Sequence, residues 1–347
     1  MFITTVITHM TVVSVARRHT HRHTHTTEHS NTVCLLSRTS DTPTDRPTHR
    51  PAVSLPRSLS QPHTQQRVGA RFRWTACVIL GTLTRMPTIT TKRARVIAVA
   101  MQKGGVGKTT TAINLAFYLL KLGYRVVLID LDPQANATDG LAVDLDPNDA
   151  SMYEVLMDDA DRVALSDAII ESQFGIGVGP AHAAMRKLER YGLGLGGYAR
   201  FARQVRELPV DFVIIDCPPN LGELTIAALT AADSVLATVK PGPDEIKGIR
   251  ELDRSVQEAR ENLNPDVSID FVVVTQFDKQ TLVAKDTKAN LCAGWSDEYL
   301  GEAAHTVRVP EAKNAREPIG VYMPGLQVSK DYERIAKAIS ERMLAHV

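Results

Sequence analysis

Residues 103–110 of this chain read Lys-Gly-Gly-Val-Gly-Lys-Thr-Thr, and their types and spacing carry the clearest chemical meaning. The segment lies between an apolar run at 95–101, typical of a β-strand, and a helix-patterned run at 110–122. Glycines let the backbone curl so that its N–H groups point at one anion, and the following helix N-terminus adds its positive dipole end. The segment therefore predicts a phosphate-binding loop made of Gly104, Gly105, Val106, Gly107, Lys108, Thr109 and Thr110.

Two lysines in this loop predict different roles. Lys108 is placed to reach the β- and γ-phosphates of a nucleotide, and the Thr109 hydroxyl is a suitable ligand for Mg²⁺. The simple phosphate-loop pattern has a glycine five residues before Gly107, where this chain has Gln102. The chain instead begins the loop with a second lysine, Lys103, which separates one subclass of nucleotide switches from the rest.

Three aspartates lie at or near the ends of apolar runs that are typical of buried strands. Asp216 ends the run at 210–216, and because Mg²⁺ keeps several waters, a carboxylate there is suited to bind the metal's water shell. Asp132 follows the run at 125–131 and is placed to orient an attacking water or to contact Mg²⁺ through water. Asp130 lies on the same side of that strand as Asp132, because side chains alternate between the two faces. The pattern therefore leaves open whether Asp130 shares the site with Asp132.

Strand-like and helix-like segments alternate along the chain from residue 95. This order predicts an α/β fold: a doubly wound, mostly parallel sheet with helices on both faces and ligands beyond the carboxyl ends of the strands. The predicted strands are 95–101, 125–131, 174–178, 212–216, 234–239 and 269–275, and the predicted helices are 110–122, 166–172, 186–205, 223–232, 245–262 and 331–344.

The first 85 residues differ from the rest in composition. They are rich in Thr, His, Arg, Ser and Pro, show no sustained periodicity and lack the apolar content for a core. The composition favours a disordered or mis-annotated extension, with Met86 as the natural start and residues 86–347 as the folded domain. A targeting peptide or a His-rich metal-binding tract are the two alternatives.

Charge, cysteines and hydropathy narrow the class of protein. Residues 1–85 contain eleven arginines, no lysine and three acids, so the remainder is mildly acidic although the whole chain has a net charge of +1. That balance argues against nucleic-acid binding over the whole surface and leaves room for a local basic patch. The four cysteines, which lack metal-ligand spacing, and the absence of a bilayer-length apolar run predict a cytoplasmic protein without stable membrane insertion.

Taken together, the phosphate loop, the Asp-Leu-Asp-Pro-Gln-Ala-Asn-Ala-Thr segment at 130–138 and the Asp-Cys-Pro-Pro-Asn-Leu-Gly segment at 216–222 resemble the ParA branch of the ParA/MinD ATPases. These P-loop proteins with a deviant Walker A loop partition plasmids and chromosomes. Later matches lie at 272–278 and 307–312, so the resemblance covers the chain from about residue 95 to its end.

The resemblance implies ATP and Mg²⁺ as cofactors and an ATP-dependent, face-to-face homodimer. It implies that Lys103 crosses to the partner's phosphates, that Lys108 holds the phosphates in cis and that Thr109 binds Mg²⁺. Asp132 would position the hydrolytic water, with Asp216 in the Mg²⁺ shell. Hydrolysis is then expected to be slow and stimulated by a partner.

The resemblance also implies nonspecific DNA binding, nucleoid association and a ParB-like centromere-binding partner. By sequence context the DNA contacts would be Arg308, with Lys313 and Arg316 nearby, although interspersed acids leave an ordinary charged surface as the alternative. The chain departs from the family pattern at Gln280, where relatives often carry arginine, and in the run at 308–313.

Two alternatives remain within the same superfamily. A MinD-like membrane ATPase of the cell-division site would need a basic, bulky-apolar C-terminal helix, whereas the amphipathic segment at 331–347 carries acids and is more typical of packing on the sheet. A metabolic member, such as an ATP-dependent ligase or amidase, would need a substrate-recognition segment that the sequence does not reveal.

Overall fold

The computed structural model describes residues 93–158, 161–194 and 196–345 as strands that alternate with helices. The strands are β1 Arg95–Ala100, β2 Val126–Asp130, β3 Ile170–Glu171, β4 Gly177–Gly179, β5 Phe212–Asp216, β6 Ser234–Val239, β7 Ile269–Phe277 and β8 Tyr299–Ala304. The helices are α1 Lys108–Lys121, α2 Asn136–Gly140, α3 Met152–Leu156, α4 Leu165–Ala168, α5 Arg186–Tyr191, α6 Gly197–Arg206, α7 Glu223–Ala231, α8 Glu245–Asn262, α9 Leu282–Gly294, α10 Arg308–Asn314, α11 Ile319–Tyr322 and α12 Gln327–Ala345, with a 3₁₀ turn at Ala183–Met185.

The strands form one eight-stranded sheet in the order β3-β4-β2-β5-β1-β6-β7-β8. All neighbouring pairs are parallel except β3 with β4. The central strands β1, β2 and β5 are continuous apolar runs because both faces of a parallel sheet are covered by helices. Their carboxyl ends lie side by side, with Val99 and Asp130 each opposite Asp216.

Helices cover the sheet on both faces. On one face, α1 and α12 pack together through buried residues such as Leu115, Leu119 and Ile335. On the other face, α6, α7 and α8 contribute Phe201, Leu224 and other apolar residues to a second core layer. The predicted doubly wound α/β fold is confirmed.

The C-terminal helix α12 packs on the sheet as its sequence indicated. Ile335, Ile339 and Met343, which form its apolar face, are buried among the residues of the α1 layer. Within the part of the chain that the structure describes, no helix is long and apolar enough to cross a membrane.

Most predicted elements lie where the apolar runs placed them, with ends shifted by a few residues, but two predictions near the edge strands were wrong. The helix predicted at 166–172 ends at Ala168, and Ile170–Glu171 forms an antiparallel strand instead. The strand predicted at 174–178 is Gly177–Gly179, because Gly175 takes a φ of +80° in the turn that reverses the chain. The apolar residues of this short hairpin carry no periodicity that distinguishes a strand from a helix.

The helix predicted at 186–205 is interrupted. Gly192, Gly194 and Gly196 have positive φ angles, a conformation that ends α5 and separates it from α6. Strand β8 and helices α9 and α10 were not predicted. The proposed extension at 1–85 and the alternative start at Met86 lie outside the described residues, so the domain division stays a prediction.

Candidate functional site

The glycine-rich loop connects β1 to α1, as the sequence predicted. Gly105 and Gly107 adopt φ angles of +73° and +82°, a left-handed backbone that L side chains rarely adopt. Gly107 is the N-cap of the 14-residue helix α1, so the loop ends at the positive end of a helix dipole. The loop therefore has the backbone geometry of an anion-binding site.

The Lys108 side chain contacts the first residue of its own loop. Its Nζ atom donates a hydrogen bond to the backbone oxygen of Lys103 at 3.0 Å, and only 7% of the residue is exposed. Burial lowers the pKa of the Lys108 ammonium, while the nearby carboxylate of Asp216 opposes that change. The loop thus holds a cation at the carboxyl ends of the central strands.

Asp216 ends β5 beside the loop and is fully buried. Among the described residues, neither of its carboxylate oxygens has a hydrogen-bond partner of normal geometry. Burial, followed by the charge of Asp130, raises its pKa well above the ordinary value, and the nearby Thr109 hydroxyl and Lys108 ammonium lower it. A buried carboxylate with unused oxygens next to a hydroxyl and a lysine fits the outer shell of a bound Mg²⁺ ion, because the metal's waters supply the missing donors.

Asp132 lies on the loop that follows β2 and lines the same cavity as Lys108 and Thr109. Its Oδ1 atom accepts a hydrogen bond from the backbone N–H of Gln134 at 2.9 Å. The residue is only 8% exposed, although it lines the cavity. This is a suitable position for a group that orients a water molecule.

Asp130, whose role the sequence left open, supports the loop after β2. Its carboxylate accepts hydrogen bonds from the backbone N–H groups of Asp132, Ala137 and Thr138 at 3.1, 3.0 and 2.8 Å. The Thr138 hydroxyl donates a fourth bond at 2.8 Å. Asp130 therefore shapes the segment that carries Asp132, and its own oxygens are occupied by the chain.

A cavity of 520 Å³ extends from the phosphate loop towards α10. Its walls include Asn114 from α1, Asp132, the end of β7 and the β8–α10 connection. Both the volume and the mixture of apolar walls with a few converging polar groups are typical of small-ligand sites. The cavity thus offers room for a group attached to the anion in the loop.

Lys103 contacts another element of the same chain. Its Nζ atom lies 2.7 Å from Oε1 of Glu245, the first residue of α8, and half of its side chain is exposed. The hydrogen bond to Glu245 raises the pKa of the Lys103 ammonium. Sequence reasoning did not single out Glu245, although its place beyond the carboxyl end of β6 is a signal for proximity to the loop.

The three predicted DNA-binding residues lie on or directly after α10, and each contacts a neighbouring polar group. Arg308 Nη1 lies 2.7 Å from Glu311 Oε2, and Lys313 Nζ donates to Asn136 Oδ1 at 2.9 Å. Arg316 binds both carboxylate oxygens of Asp144, at 3.1 and 2.7 Å. Of the three, Lys313 lines the cavity, while Arg308 lies at the start of the same helix with an exposed side chain.

Two residues at the end of β7 were also missed. The Thr275 hydroxyl donates to the backbone oxygen of Val106 at 2.8 Å, and the Gln276 amide donates to that of Gly105 at 2.9 Å. Both contacts join segments about 170 positions apart in the chain. No local pattern reports such contacts. The sequence signals are that Thr275 ends the predicted strand at 269–275 and that both residues lie in the family match at 272–278.

A doubly wound sheet with a glycine-rich anion loop between β1 and α1 and a carboxylate at the end of β5 defines a P-loop nucleotide-binding protein. A family model described as an AAA domain matches residues 94–269. The chain is 36% identical over 258 residues to the chromosome partitioning protein ParA of Caulobacter vibrioides, covering 72% of this chain and 94% of the relative. It is 34% identical over 252 residues to the sporulation initiation inhibitor protein Soj of Bacillus subtilis, covering 71% and 98%. The chain therefore belongs to the ParA family of P-loop ATPases.

Solved structures share the fold. Cobyrinic acid a,c-diamide synthase from Mycobacterium smegmatis with bound ATP analogue and magnesium is 29% identical, with a TM-score of 0.62 over 73% of this chain and 97% of that structure. A variant of McdA from Cyanothece in complex with ATP is 22% identical, with a TM-score of 0.63 over 72% and 98%, and shows likeness of fold alone.

Proposed function

We propose that this protein is a DNA-partitioning ATPase that binds ATP with Mg²⁺, dimerises in the ATP state, holds DNA nonspecifically and releases it after hydrolysis. The observation that carries the proposal is the buried Asp216 carboxylate, which has no hydrogen-bond partner of normal geometry among the described residues and lies near Lys108 and Thr109. Relatives named for chromosome partitioning, at 34–36% identity over most of their length, support the biological role.

The residues in and around the loop would have different roles in binding the nucleotide. The N–H groups of residues 104–110 and the Lys108 ammonium would hold the phosphates, while Thr109 and Asp216 would hold Mg²⁺ and its waters. When bound, Mg²⁺ supplies positive charge that neutralises the phosphate oxygens. Asp132, which lies next to the loop, would accept a hydrogen bond from the attacking water and orient it.

Lys103 would connect nucleotide binding with dimerisation. Lys108, Thr109, Asp132 and Asp216 account for the phosphates and the metal within one subunit, which leaves Lys103 for a second role. A cation that crosses to the γ-phosphate of a partner subunit makes dimerisation depend on the nucleotide. In the single chain, Lys103 contacts Glu245, so this crossing requires the ion pair to open.

Nonspecific DNA binding is assigned to α10 and to Arg316, two residues after its end. Arg308 is the foremost candidate because its side chain is 46% exposed and its ion pair is with the partly exposed Glu311. Lys313 and Arg316 would add positive charge, although Arg316 is already paired with Asp139 and Asp144. A ParB-like centromere-binding protein would stimulate hydrolysis, and the complex would associate with the nucleoid in the cytoplasm.

The proposal is tested by gel retardation of an arbitrary DNA duplex with ATP, with ADP and without nucleotide, at two salt concentrations. We expect retardation in ATP alone and a steep loss at the higher salt, because phosphate contacts release counterions. Lys108→Ala should abolish the effect, whereas Lys121→Ala, which changes an exposed lysine at the other end of α1, should preserve it. Equal retardation in all three nucleotide states would contradict the proposal.

A second candidate is an ATP-dependent amide-forming synthase, favoured by the 29% identity to the M. smegmatis structure named for that activity. This candidate predicts ATP turnover that depends on a carboxylic acid substrate and an ammonia donor, with no response to DNA. Steady-state ATP hydrolysis with DNA and a centromere-binding protein, compared with hydrolysis in the presence of a carboxylic acid substrate and glutamine, separates the two. The membrane-associated alternative receives no support from α12, whose apolar face is buried.

A further inference from the structure

The end of β7 supports the phosphate loop from outside the local motif. The Thr275 hydroxyl lies 2.8 Å from the Val106 oxygen and 3.4 Å from the Val239 oxygen. Since a hydroxyl has one hydrogen to donate, the shorter contact to Val106 is the stronger bond. Thr275 is 2% exposed, so this bond is shielded from water.

The neighbouring residue makes a parallel contact. The Gln276 side-chain amide donates to the Gly105 oxygen at 2.9 Å. Gln276 has a φ of +50°, which is uncommon for a residue other than glycine and carries a cost in backbone strain. Such strain persists where surrounding contacts determine the conformation, and it is most frequent at functional sites.

Close packing reinforces these two hydrogen bonds. A Cβ atom at Gly107 would lie 3.1 Å from the Thr275 methyl carbon and 3.2 Å from its hydroxyl oxygen. Only glycine allows the loop to approach Thr275 this closely while it adopts the left-handed backbone at this position. The loop and the end of β7 therefore form one tightly packed unit.

The planarity of the peptide bond gives these contacts a consequence for phosphate binding. In a trans peptide, the C=O of one residue and the N–H of the next point in opposite directions. Because the Gly105 carbonyl points towards Gln276, the Val106 N–H points away from β7. Because the Val106 carbonyl points towards Thr275, the Gly107 N–H also points away from β7. Lys108 holds the Lys103 carbonyl and so sets the Gly104 N–H.

We propose that Thr275 and Gln276 are positioning residues that orient the loop N–H groups for the diphosphate of the nucleotide. This inference rests on the proposed nucleotide binding. The end of β7 would thus pre-organise the loop. Loop N–H groups that already point at the anion site do not lose conformational freedom when the anion binds.

The test compares Thr275→Val, which removes the hydroxyl and keeps the shape, with Thr275→Ser, which keeps the hydroxyl. Dissociation constants for AMP and for ADP with Mg²⁺ are measured by calorimetry, and their ratio reports the contribution of the second phosphate. We expect Thr275→Val to reduce this ratio about fivefold, as the loss of one orienting hydrogen bond predicts, and Thr275→Ser to retain it. A change in general stability would weaken both ligands alike.

Gln276→Met provides an independent variant, because the side chain is partly exposed and its replacement is not expected to prevent folding. In ¹⁵N-labelled protein, the amide protons of Val106 and Gly107 should shift downfield on addition of Mg-ADP, and the Val106 shift should be smaller in Gln276→Met. An unchanged AMP-to-ADP ratio in Thr275→Val, or equal weakening of both ligands, overturns the inference. A wild-type protein with no preference for ADP over AMP would instead overturn the proposed function itself.

Discussion

Lys103 Nζ lies 2.7 Å from Glu245 Oε1, which joins the start of the phosphate loop to the first residue of α8. The two ends of this ion pair differ in environment, since the Lys103 side chain is 51% exposed and that of Glu245 is 3% exposed. In the single chain the lysine is thus held on its own subunit. If Lys103 acts on the phosphates of a partner, dimerisation has to break this contact first.

Replacement of Glu245 by Gln should therefore favour the dimer. The neutral amide keeps the size of the side chain and removes the charge that holds Lys103, so we expect half-maximal dimerisation in ATP at a severalfold lower protein concentration. Lys103→Ala should bind ATP normally and fail to dimerise. Analytical ultracentrifugation with ATP and ADP measures both effects, and dimerisation of Lys103→Ala in ATP would rule out the assigned role.

Asp132→Ala should separate ATP binding from turnover. Removal of the carboxylate that orients water is expected to lower kcat by roughly 100-fold or more, because positioned acid–base groups contribute at least that much. The ATP-bound dimer should accumulate, as seen by size-exclusion chromatography after incubation with ATP. Asp253→Ala, which changes an exposed aspartate on α8, serves as the control and should hydrolyse ATP at the wild-type rate.

Arg308→Glu should weaken DNA binding and leave the nucleotide site intact. Loss of one phosphate contact and the addition of a negative charge are expected to lower DNA affinity about tenfold and to reduce the salt dependence. Fluorescence anisotropy of labelled DNA at several salt concentrations, with ATP-dependent dimerisation measured in parallel, tests this. Arg254→Glu, which makes the same charge reversal at an exposed position of α8, should have little effect on DNA affinity. Equal losses of affinity in both variants would indicate a purely global charge effect.

Asp130→Asn should destabilise the fold and change its response to pH. An amide nitrogen cannot accept the hydrogen bonds that the carboxylate receives from residues 132–138, so we expect a loss of about 2–3 kcal/mol in the free energy of unfolding. Urea unfolding measures this loss, with the exposed Asp167→Asn as a control that should differ little from wild type.

The same residue has a predictable pH signature. Burial raises the pKa of Asp130 to about 6, above its value in the unfolded chain, so the folded state binds more protons between about pH 4 and pH 6. This group therefore lowers the stability of the wild-type protein as pH rises through that window. Asp130→Asn should show a shallower decrease over the same range, and an unchanged slope would contradict the assignment.

Much of the site could be predicted because its parts are local. The phosphate loop needs only consecutive glycines, a lysine and a threonine between a strand and a helix, and the structure places Gly107 and Lys108 at the start of α1. Asp132 and Asp216 follow apolar runs, and parallel strands bring their carboxyl ends to one edge. The short hairpin at 170–179 could not be predicted in the same way, since β4 belongs to the sheet through its pairing with β2, which is distant in the chain.

What the sequence determined by itself was the chemistry of the loop, the strand–helix alternation and the family, because these are properties of neighbouring residues. Tertiary structure alone decided that Asp130 is used internally by the chain, that Glu245 holds Lys103, and that Thr275 and Gln276 support the loop. Contacts of the last two kinds join residues more than 140 positions apart, and their formation depends on the order of strands in the sheet. Lys103, which marks the subclass, is thus identified from its position in the sequence, whereas its partner Glu245 is identified only from the fold.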